Sequence, residues 1–456
     1  MESTEYIRAY IDRSRNTLKE LESWDQLQID EAVRLIGRVV YDNAAELAQM
    51  AVEETGMGNV PDKTVKNKGK SSVIWNSLKG RTSRGVISRD ERTGIVEIAK
   101  PVGVIAAVTP CTNPVVTPMC NAMFAVKGGN SIIFTPHHRS FHTSTRTVEL
   151  INKALAGIGA PEHLIQIIGE QSRENTRELM ASSDVVIATG GMGMVRAAYS
   201  SGKPAFGVGS GNVQCIIDRD AEFSEAVPKI ITGRCFDNGI ICSSEQTVIV
   251  HNDDYDEVMD EFRKNGCYTA ASGAETEALR RALFPDGKMN PALVGQPASK
   301  AAAVAGVAGA DNAKILLIEA EGAGRADLLS REKMCPVLSV YRYNHFDEAV
   351  EIAAANLDYE GAGHSVAIHS CSSDNIEKAA LRLNAGRFVI NQTSSTSAGG
   401  SFYNGFTPTT TLGCGSWGNN SISENLSYKH LINVSRIGNY MPDNHVPDES
   451  ELWGEE

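Results

Sequence analysis

The feature that most constrains this chain is a texture recurring from residue 95 to 391: short aliphatic and β-branched runs separated by stretches with helical spacing. IVEIAKPVGVIAAVTP (95–110) alternates and then becomes continuously apolar, as a strand entering a buried sheet does. SIIFTP (131–136), LIQIIG (164–169), DVVIATGG (184–191) and QCIID (214–218) follow, with helical patterns such as TSTRTVELINKAL (143–155) between them. Strand–helix alternation of this kind predicts an α/β fold with a parallel, doubly wound sheet. The pattern resumes after residue 240 with EQTVIV, KILLIEA, PVLSVYRY, SVAIHS and RFVIN, so a second α/β unit is expected. The first 80 residues read as helices. One stretch, 29–55, carries Ala32, Val33, Leu35, Ile36, Val39 and Val40 near helical spacing and closes with Gly56 and Gly58.

A length of 456 residues suggests two or three domains, each with its own core. The formal net charge of -13 argues against nucleic acid or an anionic membrane surface as partner. No apolar run approaches the roughly 20 residues that span a bilayer, and MESTEYIRAYIDRSR lacks the basic-then-apolar order of a signal peptide. The nine cysteines are odd in number, scattered and free of CxxC pairs, which suits reduced thiols in a cytosol and a cytoplasmic protein. From residue 393 the chain is rich in Gly, Ser, Thr and Asn. Phe402, Phe406, Leu412 and Trp417 are interleaved there, so an ordered loop packed on a neighbour is expected rather than a linker.

Several residues have chemistry to offer. Cys242, in RCFDNGIICSSEQTVIV, falls on a connection between a helical segment (221–235), a polar turn Asp237-Asn238-Gly239 and a strand. A nucleophilic thiol needs such access, although a lone cysteine among apolar residues equally reads as buried filler. In TPCTNPVVTP (109–118), Pro110 and Pro114 bracket Asn113 and stiffen the backbone, which suits either an oxyanion donor at a strand end or a simple turn. The glycine clusters ATGGMGM (188–194) and FGVGSGNV (206–213) bring backbone to sheet ends where phosphates bind, without forming a G-x-G-x-x-G fingerprint. Glu332 precedes a strand and, alone, reads as a solvated acid; Lys63, Lys66, Lys68 and Lys70 read as a solvated basic face. His137 and His138 have no partner at metal-ligand spacing, so no metal is expected.

Taken in order, these segments resemble one family. T-P-x-x-N-P after a strand, x-P-H after the next, A-T-G-G, G-V-G-x-G-N, the loop cysteine and E-K-x-x-P-V are similar to the aldehyde dehydrogenase superfamily from about residue 5 to the C-terminus. ITGRCFDNGIICSSEQ, ATGGMGMVRAAYSSGKPAFGVG and TLGCGSWGNNSISENLSYKHLINVSRIG resemble its CoA-acylating branch. The resemblance implies a Rossmann-type cofactor domain (1–209), an α/β catalytic domain carrying the nucleophile (210–405) and a C-terminal interface segment (406–456). It implies Cys242 as nucleophile and Asn113, with the Cys242 backbone N–H, as holder of the oxyanion. Cofactor contacts are implied at Thr109, Pro110, His137, His138, Arg139, Thr189, Gly190, Gly191, Gly209 and Glu332, the last holding the nicotinamide ribose.

Two departures from the hydrolytic members carry information. Where they have a general-base Glu in E-L-G-G, this chain has Gly207, so the acyl thioester should await the coenzyme A thiolate instead of water. Where many NAD-preferring members have K-P-x-E, this chain reads T-P-H-H-R, with no acid to repel a 2′-phosphate and with His138 or Arg139 to meet one; NADP is implied, with NAD also accommodated. The implied substrate is succinate semialdehyde, forming succinyl-CoA, with sulfoacetaldehyde or a short-chain aldehyde as alternatives. Donors for an anionic substrate are expected from Ser243 and the run Thr393–Ser397. A hydrolytic dehydrogenase, an acyl-phosphate reductase and a non-catalytic assembly protein of the same fold are competing readings. A homodimer or homotetramer is expected, with SENLSYKHLINVSRI as candidate interface.

Overall fold

The computed structural model describes residues 3–271 and 273–454. Two parallel sheets and one antiparallel ribbon organise the chain. The five-stranded sheet runs in the order Ile165–Ile167, Ser131–Pro136, Val104–Thr109, Val185–Thr189, Ala205–Val208, with every pairing parallel. The chain starts at the central strand, winds outward to one edge, then returns to the other side of the centre. Strand order therefore reverses between Val104–Thr109 and Val185–Thr189, and in open α/β sheets the carboxyl ends at such a reversal are where ligands bind.

Alternation along the strands explains why both faces are covered. Ile105, Ala107, Ile132 and Phe134 face one apolar cluster with Ile36, Met123 and Ile151; Val104, Ala106, Ile133 and Val186 face another with Ile7, Leu179 and Ala198. All six residues of both Val104–Thr109 and Ser131–Pro136 are buried, hence their continuous apolar texture. The seven-stranded sheet, also parallel throughout, has the order Tyr268–Thr269, Leu316–Glu319, Val337–Tyr343, Thr247–His251, Gln214–Ile217, Val366–His369, Phe388–Ile390.

The apolar run 95–110 is not one strand. Ile95–Pro101 joins the antiparallel ribbon between Gly85–Asp90 and Ile432–Gly438, while Val104–Thr109 begins the five-stranded sheet. The break lies at Gly103, whose φ of 120° excludes ordinary side chains and where a Cβ would lie 2.2 Å from Asp184 Oδ2. The Asn130 carboxamide oxygen accepts from the N–H groups of Val102 (2.7 Å) and Gly103 (3.0 Å), which have left the ladder. The helical stretch 29–55 is likewise two helices, Gln26–Asp42 and Ala44–Thr55, interrupted at Asn43. The first of them starts at a capping box formed by Asp25 and Gln28.

In the Gly/Ser/Thr-rich C-terminal stretch, Leu412 is buried and Phe406 packs on it, but Phe402 (63% exposed) and Trp417 (46%) are not anchors. Order there comes from polar ties, such as Asn425 Nδ2 donating to the carbonyls of Ala398 (3.1 Å) and Thr407 (2.7 Å).

Candidate active site

Cys242 owes its position to an unusual turn. The helix Phe223–Cys235 ends, and Asp237, Asn238 and Gly239 all take left-handed φ values (52°, 53° and 73°). Two of the three carry a Cβ, so the turn needs anchors. Asp237 N–H donates to Asp62 (2.8 Å), and the Asp237 carboxylate accepts from Lys63 (2.9 Å), Lys66 (2.5 Å) and the Asn59 N–H (3.1 Å). Asn238 Nδ2 donates to the carbonyls of Gly58 and Gly295. The chain then crests at Ile241–Cys242 and re-enters the sheet, with Gln246 N–H on the Val213 carbonyl at 2.8 Å. Gly211 lies against the crest: a Cβ there would stand 1.9 Å from the Cys242 carbonyl oxygen.

The thiol opens on a cavity of about 290 Å³ lined by Asn113, Lys66, Lys70, Ser243 and Ser395–Ser397, among others. The Asn113 carboxamide oxygen accepts from Lys66 Nζ at 2.8 Å. An ammonium can only donate, so this contact fixes the amide orientation and leaves Nδ2 as a free donor. Burial pushes the Cys242 thiol up to about 12, with Glu332 and Cys414 adding to the rise and Arg387 opposing it. In this state Cys242 is a protonated thiol at neutral pH.

Glu332 is not a solvated acid. Its carboxyl is pushed up to about 8, chiefly by burial and then by Glu360, with Arg234 and the Gly211 amide opposing. Its N–H donates to Glu360 (2.9 Å), and the next residue, fully buried Lys333, caps the carbonyls of Leu329 (2.8 Å) and Arg331 (2.7 Å). The basic run is not a solvated face either: Lys63 is buried and Lys66 and Lys70 line the cavity, leaving Lys68 exposed.

Most of the remaining sequence-derived positions gather at the carboxyl ends of the five-stranded sheet. Thr109 ends the central strand, with its hydroxyl buried and without a partner; Pro110 follows, and His137 N–H donates to the Thr109 carbonyl at 3.0 Å. His137 stacks on His138, and Arg139 donates to the Thr55 carbonyl at 2.8 Å; all three are exposed. Thr189 ends the adjacent strand. Gly191 is the N-cap of the helix Met192–Tyr199 without a side-chain cap, and a Cβ at Gly190 or Gly191 would meet only open space. Uncapped helix N–H groups beside open space at a strand-order reversal fit a dinucleotide's phosphates. Gly209 has a different reason to be glycine, since a Cβ there would stand 2.3 Å from Met192 Sδ.

Residues 1–275 and 321–431 match the model of the aldehyde dehydrogenase family. The chain belongs to that family. It is 52% identical to the succinate-semialdehyde dehydrogenase (acetylating) of Clostridium kluyveri, over 98% of this chain and 99% of that one. It is 40% identical to the sulfoacetaldehyde dehydrogenase (acylating) of Bilophila wadsworthia, over 95% and 94%. Among solved structures, an acetylating aldehyde dehydrogenase from Geobacillus thermoglucosidasius superposes with a TM-score of 0.93 at 36% identity, covering 98% of this chain and 99% of that one. A propionaldehyde dehydrogenase from Rhodopseudomonas palustris, with bound CoA and an acylated cysteine, gives 0.84 at 28%, covering 95% and 96%. An engineered glycolyl-CoA reductase with bound NADP+ gives the same TM-score, identity and coverages.

This aldehyde dehydrogenase also has site residues that the sequence did not single out. Arg387, at the start of RFVIN, is buried and donates to Ser365, Asn425 and the carbonyls of Gly363, His364 and Gly413. His364 is fully buried, with its imidazole pushed down to about 3 by burial and by Arg387 and with Nε2 lacking a partner. Its Cδ2 lies 3.4 Å from where a Gly211 Cβ would stand, so a neutral imidazole sits behind the Cys242 backbone. The only sequence signal for the two cavity lysines was their i, i+4 spacing, which also describes any solvated helix face.

Proposed function

We propose that the chain is a CoA-acylating dehydrogenase of succinate semialdehyde, interconverting the aldehyde, coenzyme A and NADP+ with succinyl-CoA, NADPH and a proton. The observation that carries the reading is the pairing of Cys242 with an amide donor, Asn113, on one cavity wall, together with a general-base position that holds glycine. A Cβ at Gly207 would stand 2.8 Å from Val195 Cγ1 and 3.0 Å from Tyr199 Cε2, so a glutamate has neither presence nor room there. The likeness to acylating relatives supports the same reading.

In this reading the Cys242 thiol first loses its proton to solvent, Sγ then adds to the aldehyde carbon, and the resulting oxyanion accepts from Asn113 Nδ2 and the Cys242 N–H. The nicotinamide, when bound, supplies the hydride acceptor and a positive charge beside the thiol. The oxyanion reforms a carbonyl as the C–H bond breaks, leaving a thioester on Cys242. With no base to activate water, the thioester persists until the coenzyme A thiolate attacks; the same two donors hold the second oxyanion, and Cys242 leaves as thiolate. The five-stranded layer (within 1–209) would hold the cofactor through Thr109, Pro110, Thr189, Gly190, Gly191 and Gly209, with Glu332 on the nicotinamide ribose. His137, His138 and Arg139, exposed beyond Pro136, would meet the 2′-phosphate. The layer within 210–405 would present the nucleophile.

The test follows NADPH and NADH appearance with succinate semialdehyde, with and without coenzyme A. Sustained turnover only with coenzyme A, and at most a single-turnover burst without it, is expected. Equal steady rates in both would mean that water attacks the thioester. The sulfoacetaldehyde relative makes that anionic aldehyde the second substrate to try.

A further inference from the structure

A fully buried carboxyl close to the thiol in sequence has no part in the chemistry above. Glu245 stands three residues after Cys242, where its backbone forms a parallel bridge with Val213 as the chain re-enters the seven-stranded sheet. Its side chain serves a different segment: Oε1 accepts from the Ser394 N–H at 2.7 Å, across 149 residues of sequence. Ser394 opens the one-turn helix Ser394–Ser397, whose N-cap Thr393 makes no side-chain cap. Glu245 supplies the missing acceptor for that first N–H. Ser395, Thr396 and Ser397 of this turn line the cavity with Cys242. A second tie runs the same way, with the Ser243 hydroxyl donating to the Ser395 carbonyl at 3.3 Å. The connection that carries the thiol and one wall of its cavity are therefore joined at two points.

Gly233, on the helix Phe223–Cys235, makes room for the carboxyl: a Cβ there would stand 2.1 Å from Glu245 Oε2. That oxygen is buried without a partner. A buried carboxyl with one oxygen unmatched costs free energy that an apolar side chain at the same place would not. Burial pushes it up to about 7, with the Ser394 N–H, its own N–H and then Arg234 opposing. Arg234, on the same helix as Gly233, is the cation that acts on it. The Cys215 and Cys235 thiols, raised chiefly by burial and further by Glu245, are neutral near pH 7. The turn Ser394–Ser397 carries no titratable side chain.

We propose that Glu245 is a positioning residue: its carboxylate ties the wall turn Ser394–Ser397 to the Cys242 connection and so sets how the aldehyde lies against the thiol. The proposal rests on Cys242 being the nucleophile. A carboxylate accepts from the Ser394 N–H about twice as strongly as a neutral carboxyl does, so the tie is tight above pH 7 and slack below it.

The test follows the first turnover of NADPH by stopped flow, mixing enzyme and NADP+ with succinate semialdehyde without coenzyme A, from pH 6 to pH 8. Glu245→Gln keeps the shape and an acceptor but cannot ionise. The second-order rate constant of the wild type should exceed that of Glu245→Gln about fivefold at pH 8, and the ratio should fall to about one at pH 6, with NADP+ affinity unchanged. Lys70, Glu332 and Lys333 titrate in the same range, but both proteins share them and they cancel in the ratio. A ratio that does not fall from pH 8 to pH 6, or a loss matched by weaker NADP+ binding, overturns the proposal, because a purely structural carboxyl gives either. Should Glu245→Gln not fold, Glu245→Asp decides, since it keeps the charge and shortens the reach: a loss of threefold or more confined to the aldehyde step is expected, and a smaller or shared loss overturns the proposal. Equal steady rates with and without coenzyme A would refute the acylating reading alone, because the first NADPH forms before either coenzyme A or water attacks.

Discussion

One methyl group at Gly211 probes how tightly Cys242, the proposed nucleophile, is held. An alanine Cβ there would lie 1.9 Å from the Cys242 carbonyl oxygen and 2.9 Å from its carbonyl carbon. Both are backbone atoms, so no flexible side-chain tip can swing away. Bringing the first contact out even to 3.0 Å moves one backbone or the other by just over 1 Å. Gly211 has no left-handed φ, so the whole effect is steric. Misplacement by about 1 Å costs on the order of 100-fold in rate, and overpacking a buried joint costs about 1–3 kcal/mol in stability. Gly211→Ala should therefore lower coenzyme A-dependent kcat about 100-fold, lower the burst of NADPH per Cys242 in parallel, and reduce the urea midpoint. Gly405→Ala, at an exposed position where a Cβ meets nothing within 4 Å, is the control and should behave as wild type. If Gly211→Ala kept both wild-type kcat and wild-type stability, the Cys242 loop would have slack that this packing denies, and the reasoning would be wrong.

Asn113→Ala should cut kcat about 100- to 1,000-fold with little change in cofactor affinity, read by steady-state kinetics and cofactor titration; a loss under threefold would remove Asn113 from the oxyanion site. Asp237→Asn leaves Lys63 and Lys66 buried without their shared carboxylate and should cost about 3–5 kcal/mol at pH 7 by urea unfolding. Burial raises the Asp237 carboxyl, but the two lysines outweigh it and hold it below its ordinary range. The stability it contributes is thus complete above the unfolded value of about 3.9 and is lost as pH falls through the lower folded one, so the gap between wild type and variant should close in acid. With the Cys242 thiol near 12, alkylation of the cofactor-free protein should quicken about tenfold per pH unit from pH 7 to 10; a plateau near neutrality would contradict that burial dominates.

The strands were legible because a strand buried on both faces has no polar alternation to obscure it: SIIFTP and LIQIIG lie on Ser131–Pro136 and Ile165–Ile167. The same texture hid the junction at Gly103, since an apolar run does not say which sheet each half joins. The Asn113 turn and the thiol loop were visible as local oddities, a proline-bracketed Asn and Asp237-Asn238-Gly239. The lysines were misread because KNKGK looks like any basic helix face, and the carboxylate that draws Lys66 inward is 171 residues away.

The sequence by itself determined the α/β alternation, the parallel sheets and the residue types at Cys242, Asn113 and Gly207, because these depend on periodicity and on the identity of single side chains. Tertiary structure alone decided that Lys66 orients the Asn113 amide, that Gly211 wedges behind Cys242, that Glu332 is half-buried rather than solvated, and that Arg387 spends its guanidinium on backbone and side-chain acceptors while Lys70 uses one donor, on the Gly399 carbonyl. Each of these turns on which charged or polar groups share a low-dielectric space. That pairing is set when segments hundreds of residues apart pack together, and no local pattern in the chain encodes it.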